Sequence, residues 1–150
     1  MKITNYETKF NEDRTIILVK EKTTYYTKST YVSSAEVAAN IIETIFDASN
    51  QTEEHMWLIA LNGARKVAGA FEVTHGLLTS SPVHPREIFT RAMLAGAASI
   101  IIAHNHPSGS LEISPQDREV TRRIKEAGEI IGIPLDDHII IADGDFTSAL

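Results

Sequence analysis

Apolar residues recur at the spacing of an amphipathic helix in three segments of the chain. The first segment, from about Ser34 to Ala48, starts at a Ser-x-x-Glu sequence that is typical of a capping box. The second starts at Pro85 and extends to about Ala97. The third is capped by Ser114 and stops at Gly132, so the pattern predicts three helices.

Runs rich in β-branched and apolar residues outside these helices predict the strands. The Asn62-Gly63 turn should join two of them in a central hairpin, and an almost wholly apolar run is typical of a strand buried on both faces. The alternation of strands and helices, without an internal repeat, predicts an α/β fold, with α+β as the alternative, in which helices flank a mixed β-sheet. The predicted strands are Thr15–Lys20 and Thr23–Thr27, as an N-terminal hairpin, then Met56–Leu61, Val67–Val73, Ser99–Ala103 and, as the last strand, His138–Ala142.

Length and composition are those of one compact globular domain over residues 1–150, with 43% hydrophobic and 23% charged residues. The chain contains no cysteine, which excludes disulfides and thiolate metal sites. Any metal ion must therefore be held by His, Asp or Glu side chains.

Charge and the N-terminal sequence restrict the expected partners and location. Twenty acidic residues against fourteen basic ones give a net charge of −6, which argues against broad attraction to nucleic acid but leaves a local basic patch open. The N-terminus lacks the apolar core of a signal peptide, and no apolar run approaches the roughly 20 residues needed to cross a bilayer. We expect a cytoplasmic protein without a membrane partner.

Two histidines at the end of the predicted strand Ser99–Ala103 form a candidate metal site with one aspartate. Side chains alternate along a strand, so His104 and His106 project to one face while Asn105 points away. Asp117 follows a Pro-Ser-Gly loop and lies in the first turn of the third predicted helix. Two imidazole nitrogens and one carboxylate leave the fourth tetrahedral position of zinc open, which is the pattern of a catalytic site.

Each half of this pattern also has an ordinary structural interpretation. His-x-His sequences occur in sheets without any metal. Ser114-x-x-Asp117 is a common helix start, in which the serine caps the helix and the aspartate interacts favourably with its dipole. It is the combination of both halves, beside a glycine-containing turn, that favours a metal site.

The spacing of His104, His106, Ser114 and Asp117 resembles the JAMM motif of the MPN+ metalloproteases. The surrounding sequence, from about Glu53 to Ala142, is more similar still to the bacterial RadC branch of that superfamily. The stretches that carry this second resemblance are Val83–Phe89, His104–Gly109 and Asp137–Ile141.

The resemblance implies a JAMM/MPN-like architecture, similar to that of cytidine deaminases, and a zinc ion held by His104, His106 and Asp117. The chain has no room for the helix-hairpin-helix region that precedes this domain in full-length RadC, and it therefore resembles the short, single-domain members. Ile113 stands where the family usually has proline, a change expected to alter loop stiffness more than chemistry.

The family pattern also implies a glutamate on an early strand that accepts a proton from the attacking water and passes it to the departing amine. Glu54 matches that position, with Glu53 as the alternative and a solvated glutamate at a strand edge as the structural interpretation. Ser114 would donate a hydrogen bond to the oxyanion, provided that its hydroxyl points into the cleft. The sequence leaves open whether four further residues serve the site or only the fold: His84, Arg86, Asp137 and His138.

The sequence supports three functional hypotheses. The first is a zinc-dependent peptidase or isopeptidase that acts on a peptide or protein. The second is a DNA-repair or mobile-element accessory protein that acts on or binds DNA, because RadC relatives carry a repair label and accompany prophage or plasmid genes. The third is a metal-binding interaction module without catalysis, although inactive relatives typically lose ligands that this chain retains. The natural substrate and the oligomeric state stay open.

Overall fold

A computed structural model describes residues 1–76 and 83–150, in which seven strands form one mixed sheet. The strand order is β2-β1-β4-β3-β5-β6-β7, with β1 parallel to β4, β5 parallel to β6, and the other pairs antiparallel. The strands are β1 (Lys2–Phe10), β2 (Ile16–Tyr25), β3 (His55–Leu61), β4 (Val67–His75), β5 (Ser99–Asn105), β6 (Leu135–Ala142) and β7 (Asp145–Ser148). The helices are α1 (Ala35–Phe46), α2 (Pro85–Leu94) and α3 (Pro115–Ile131), and a short 3-10 turn, Ala48–Asn50, follows α1.

Helices cover both faces of the sheet, and β3 shows this most clearly because it is buried along its whole length. Trp57 and Ile59 of β3 pack in one apolar cluster with Ile41 of α1. Their neighbours on the strand, such as Leu58, pack in a second cluster with residues of α2 and α3, including Phe89. The alternation along β3 therefore separates an α1 face from an α2/α3 face.

The predicted fold class is confirmed, as are the three helices and the central hairpin of β3 and β4. Helix α2 ends earlier than the sequence predicted, at Leu94, because the chain turns at Gly96, which has a φ of 68°. In that left-handed region glycine carries no Cβ penalty. The cap of α3 at Ser114 and its end at Gly132 agree with the prediction.

The predicted N-terminal hairpin is wrong. Residues 16–25 form a single strand, β2, whose antiparallel partner is β1, and the turn between them closes with a hydrogen bond from the Asn11 amide to the Thr15 carbonyl. Strand β7 was not predicted either, so His138–Ala142 is not in the last strand. Asp143 and Gly144, both with positive φ, turn the chain back from β6 into β7.

No helix among the described residues combines the length and the apolar character that crossing a membrane would require.

The end of α3 depends on Gly128, and we expect Gly128→Ala to destabilise the fold. A Cβ added at this buried position would lie 2.5 Å from the backbone carbonyl oxygen of Ile133, which folds back over the helix. Relief requires a backbone shift, so we expect the free energy of unfolding to fall by about 1–3 kcal/mol, measured by urea denaturation.

Gly63→Ala is the matched control, because a Cβ at that turn position meets no atom within 4 Å. Its free energy of unfolding should change by less than about 0.5 kcal/mol. Equal effects of the two substitutions would contradict the steric explanation.

Candidate metal centre

The side chains of His104, His106 and Asp117 meet at the end of β5. The Nε2 atoms of the two histidines lie 2.9 Å apart. Asp117 Oδ1 lies 3.0 Å from the Nε2 of His104, and Asp117 Oδ2 lies 3.4 Å from the Nε2 of His106. Among the described residues these three side chains form the only group of potential ligands that could hold a metal ion.

The start of α3 places the aspartate. Ser114 is the N-cap, and its hydroxyl oxygen accepts a hydrogen bond from the Asp117 amide at 3.1 Å. In return, Asp117 Oδ2 accepts a hydrogen bond from the Ser114 amide at 2.8 Å, which completes a capping box. The first turn of α3 therefore fixes the carboxylate against the histidines.

The second histidine is held by the loop that follows it. The His106 amide donates to the carbonyl oxygen of Ile141 on β6, at 2.9 Å. The ring Nδ1 lies 2.7 Å from the carbonyl oxygen of Ser110, and because a carbonyl only accepts, Nδ1 carries a proton. Gly109, with a φ of 85°, lets the loop make this return. When the ring is neutral, its Nε2 atom therefore presents a lone pair to the cluster.

A buried chain of hydrogen bonds orients the first histidine in the same way. The Thr121 hydroxyl donates to the Asp117 carbonyl oxygen at 2.8 Å, so its oxygen must accept from the Nδ1 of His138, at 2.6 Å. Burial lowers the pKa of His138 to about 3, which keeps that ring neutral, and its Nε2 accepts from the Nδ1 of His104 at 2.8 Å. His104 therefore also turns a Nε2 lone pair towards the aspartate.

Three groups that can each offer a lone pair thus converge, and a positive charge among them, from a proton on one imidazole or from a metal ion, stabilises the cluster. The hydrogen bond with Asp117 raises the pKa of His106, against the opposing effect of burial. Burial alone would raise the pKa of Asp117, but its contacts with His104 and His106 hold that pKa well below the usual range of an aspartate. Both shifts favour one positive charge among the three groups.

The geometry and the ligand atoms fit zinc. In a tetrahedral zinc site with bonds of about 2.0–2.1 Å, neighbouring ligand atoms lie roughly 3.3 Å apart. The distances found between the three side chains are 2.9, 3.0 and 3.4 Å. Two imidazole nitrogens and one carboxylate are also ligands that zinc favours, and they leave one coordination position free.

The three side chains lie in a cavity of about 540 Å³ that is open to solvent. Glu54 lines the same cavity, whereas Glu53 does not line it and contacts the exposed His75, with 2.7 Å between Oε2 and Nε2. The described lining residues are Glu54, Met56, Val83, His104, His106, Ser108, Ser110, Glu112, Ser114, Pro115, Gln116, Asp117, Glu119, Val120 and His138.

The structure separates the four residues whose roles the sequence left open. His138 contacts a candidate ligand and lines the cavity. His84 caps α2, its Nδ1 accepting from the Arg86 amide at 3.0 Å, and neither residue lines the cavity. Asp137 accepts hydrogen bonds from the His138 amide and from Ser148 of β7, so it fastens the last two strands together.

Sequence reasoning missed Thr121. The available signal was its position one helical turn after Asp117, on the same face of the predicted helix as a candidate ligand. The hydroxyl of a threonine on the buried side of a helix needs partners, and here it donates to the Asp117 carbonyl oxygen and accepts from His138.

The chain is similar in sequence to one protein family and to several curated proteins. A family model described as the RadC-like JAB domain matches residues 31–150. A UPF0758 protein of Desulforudis audaxviator is 53% identical over 95 residues, which are 63% of this chain and 41% of that protein. A UPF0758 protein of Clostridium acetobutylicum is 42% identical over 121 residues, 81% of this chain and 52% of that protein. The chain spans about half the length of these curated relatives.

The hydrogen-bond chain behind His104 should tune metal affinity, and Thr121→Val tests this. Valine keeps the shape of threonine but removes the hydroxyl that fixes the tautomer of His138 and, through it, of His104. We expect the zinc dissociation constant to rise about 10- to 100-fold, measured by competition with a fluorescent chelator. His104→Ala should abolish stoichiometric binding in the same assay.

Thr44→Val is the matched control, because the Thr44 hydroxyl also donates to a carbonyl one turn earlier in a helix, that of Asn40, but Thr44 does not line the cavity. It should bind zinc as the unmodified chain does. Unchanged zinc affinity in Thr121→Val would show that the hydrogen bonds through Thr121 and His138 do not orient His104.

Proposed function

The chain belongs to the family of RadC-like JAB domains, as its motifs predicted, and on that premise we propose that it is a zinc-dependent hydrolase of peptide or isopeptide bonds. The observation that carries the proposal is that a carboxylate outside the ligand set, Glu54, lines the same cavity as the three converging acceptors. A metal centre with a neighbouring free carboxylate contains the two groups that amide hydrolysis needs.

Zinc, when bound, would polarise the scissile carbonyl and acidify a water molecule. Glu54 accepts a proton as the water attacks the carbonyl carbon, and it returns that proton to the nitrogen as the C–N bond breaks. The products are a carboxylic acid and an amine, and Glu54 ends as it began. Glu54 suits this role better than Glu53, whose carboxylate is already paired with His75 at the surface.

Ser114 stabilises the oxyanion in this proposal. Its hydroxyl oxygen accepts from the Asp117 amide, which leaves the hydroxyl hydrogen available to the cavity that Ser114 lines. A hydroxyl held by a helix cap has little freedom to reorient, so the donor is in place before the charge develops.

The lining of the cavity favours a peptide over a nucleic acid. Glu112 and Glu119 add carboxylates near its rim, and no lysine or arginine is present among the described lining residues. A polyanionic backbone would meet these carboxylates without the basic side chains on which binding to phosphates mainly depends. A peptide or protein substrate is therefore the partner that we propose.

The test of this function is the zinc-loaded chain assayed against peptide and isopeptide libraries, with Glu54→Gln as the decisive variant. Glutamine keeps the size of the side chain but cannot accept the proton, so we expect kcat to fall about 10²- to 10⁴-fold with zinc retained. Glu53→Gln, next along the chain but paired with His75, should change kcat by less than about twofold. Equal turnover by Glu54→Gln and the unmodified chain would refute the assignment.

Ser114→Ala separates the catalytic role of the serine from its capping role. Removing the hydroxyl should lower the free energy of unfolding by about 1 kcal/mol through the lost cap. It should also lower kcat about 10²- to 10³-fold through the lost oxyanion donor. Thermal unfolding and steady-state kinetics on the same preparation give both values.

Ser34→Ala provides the control, because Ser34 caps α1 by accepting from the Val37 amide, at 3.3 Å, and does not line the cavity. It should show a similar loss of stability with unchanged kcat. Parallel losses of kcat in both variants would assign Ser114 to structure alone.

A further inference from the structure

One buried side chain on β5 faces away from the metal centre and contacts the segment that carries Glu54. Asn105 lies between the two histidine ligands in sequence and is 1% exposed. Its Oδ1 accepts a hydrogen bond from the His55 amide at 2.7 Å, and its Nδ2 donates to the Glu53 carbonyl oxygen at 2.9 Å. A single amide thus binds the backbone on both sides of Glu54.

These two hydrogen bonds hold both peptide planes that meet at the Cα of Glu54. The Glu53 carbonyl belongs to the plane before Glu54, and the His55 amide belongs to the plane after it. The angles between the planes are the φ and ψ of Glu54, because each peptide unit is itself rigid. The Glu54 carbonyl is also occupied, accepting from the Gly76 amide at 2.9 Å.

The Asn105 side chain acts where the regular sheet stops. The pairing of β3 with β5 ends at Met56 and His104, two residues after Glu54. Beyond that pair, the amide of Asn105 replaces the backbone groups that a continuing strand would have offered. Glu54 can therefore line the cavity from a backbone segment, just before β3, that Asn105 still holds to β5.

We propose that Asn105 is a positioning residue that fixes the backbone of Glu54 and so sets its carboxylate relative to the metal ligands. The inference rests on the proposed role of Glu54. Because Asn105 sits between His104 and His106 on one strand, the ligands and the general base share a single rigid frame. Asparagine suits the position, since it offers an acceptor and a donor on one short planar group.

A merely structural hydrogen bond and a positioning one differ in their dependence on Glu54. If Asn105 acts through Glu54, its loss should cost activity only while Glu54 can act. If Asn105 serves only general stability, its removal should lower activity by the same factor whether residue 54 is Glu or Gln. A double-mutant cycle on the zinc-loaded full chain therefore tests the proposal.

The kinetic experiment compares Asn105→Ala, Glu54→Gln and the double variant on a peptide that the unmodified chain cleaves. We expect Asn105→Ala to lower kcat about 10- to 100-fold, with KM within about twofold and zinc retained. In the Glu54→Gln background the same change should cost less than about twofold. An equal loss in both backgrounds, or no loss in either, would overturn the proposal.

Ile101→Val is the matched control for destabilisation, because Ile101 is buried on the same strand and on the same α1 face of the sheet as Asn105. It should lower the melting temperature while leaving kcat within about twofold. A loss of kcat as large as that of Asn105→Ala would point to stability rather than positioning.

Amide hydrogen exchange tests the same inference without turnover. Asn105→Ala should speed exchange at the His55 amide at least about tenfold, with the Leu58 and Ile102 amides unchanged. Unchanged exchange at His55 would overturn the proposal whatever the kinetics show. If the unmodified chain cleaves no substrate while His55 responds as expected, the hydrolase proposal fails and the hold of Asn105 on Glu54 stands.

Discussion

The site depends on one electrostatic constraint, which is that two imidazole nitrogens and one carboxylate, each able to offer a lone pair, meet at contact distance. Partners outside the cluster fix this arrangement, since Ser110 and His138 occupy the Nδ1 atoms of His106 and His104. Each ring is left with its Nε2 atom facing Asp117, where that nitrogen can hold a proton or, with the carboxylate, a metal ion. Burying such a group costs free energy unless a cation neutralises it. The fold therefore brings the His104, His106 and Asp117 side chains into an arrangement that a positive charge stabilises.

Strand β5 contributes residues to both faces of the sheet, because its side chains alternate between them. His104 faces the α2/α3 side and contributes to the cluster, whereas Asn105 faces the α1 side and bonds to the chain beside Glu54. Its position between β3 and β6 means that hydrogen bonds on both edges hold it in place. An element held on both edges suits the placing of several candidate site residues at fixed distances.

The sequence predicted those parts of the structure whose signals are local. A helix start at Ser114 and the period of two along β5 suffice to bring Asp117 near the histidines. The edge of the sheet formed by β1 and β2 was harder to predict from the sequence. Few residues of these strands are buried, and the alternation of apolar and polar positions is weak there. The sequence places Thr121 on the face of α3 that carries Asp117, but it could not identify the partner of Thr121, since His138 comes from another element and only the fold brings them together.

The capping box shows how one residue serves both stability and chemistry without conflict. Asp117 uses Oδ2 to accept from the Ser114 amide, while Oδ1 lies nearest to His104. The helix start is therefore complete whether or not a metal ion is bound, so α3 does not need the ion in order to begin at Ser114. The neighbouring imidazoles hold the pKa of Asp117 well below the usual range of an aspartate, which favours the charged form of the carboxylate. The candidate ligand is thus oriented by the helix itself, so the start of α3 preorganises this part of the candidate metal site.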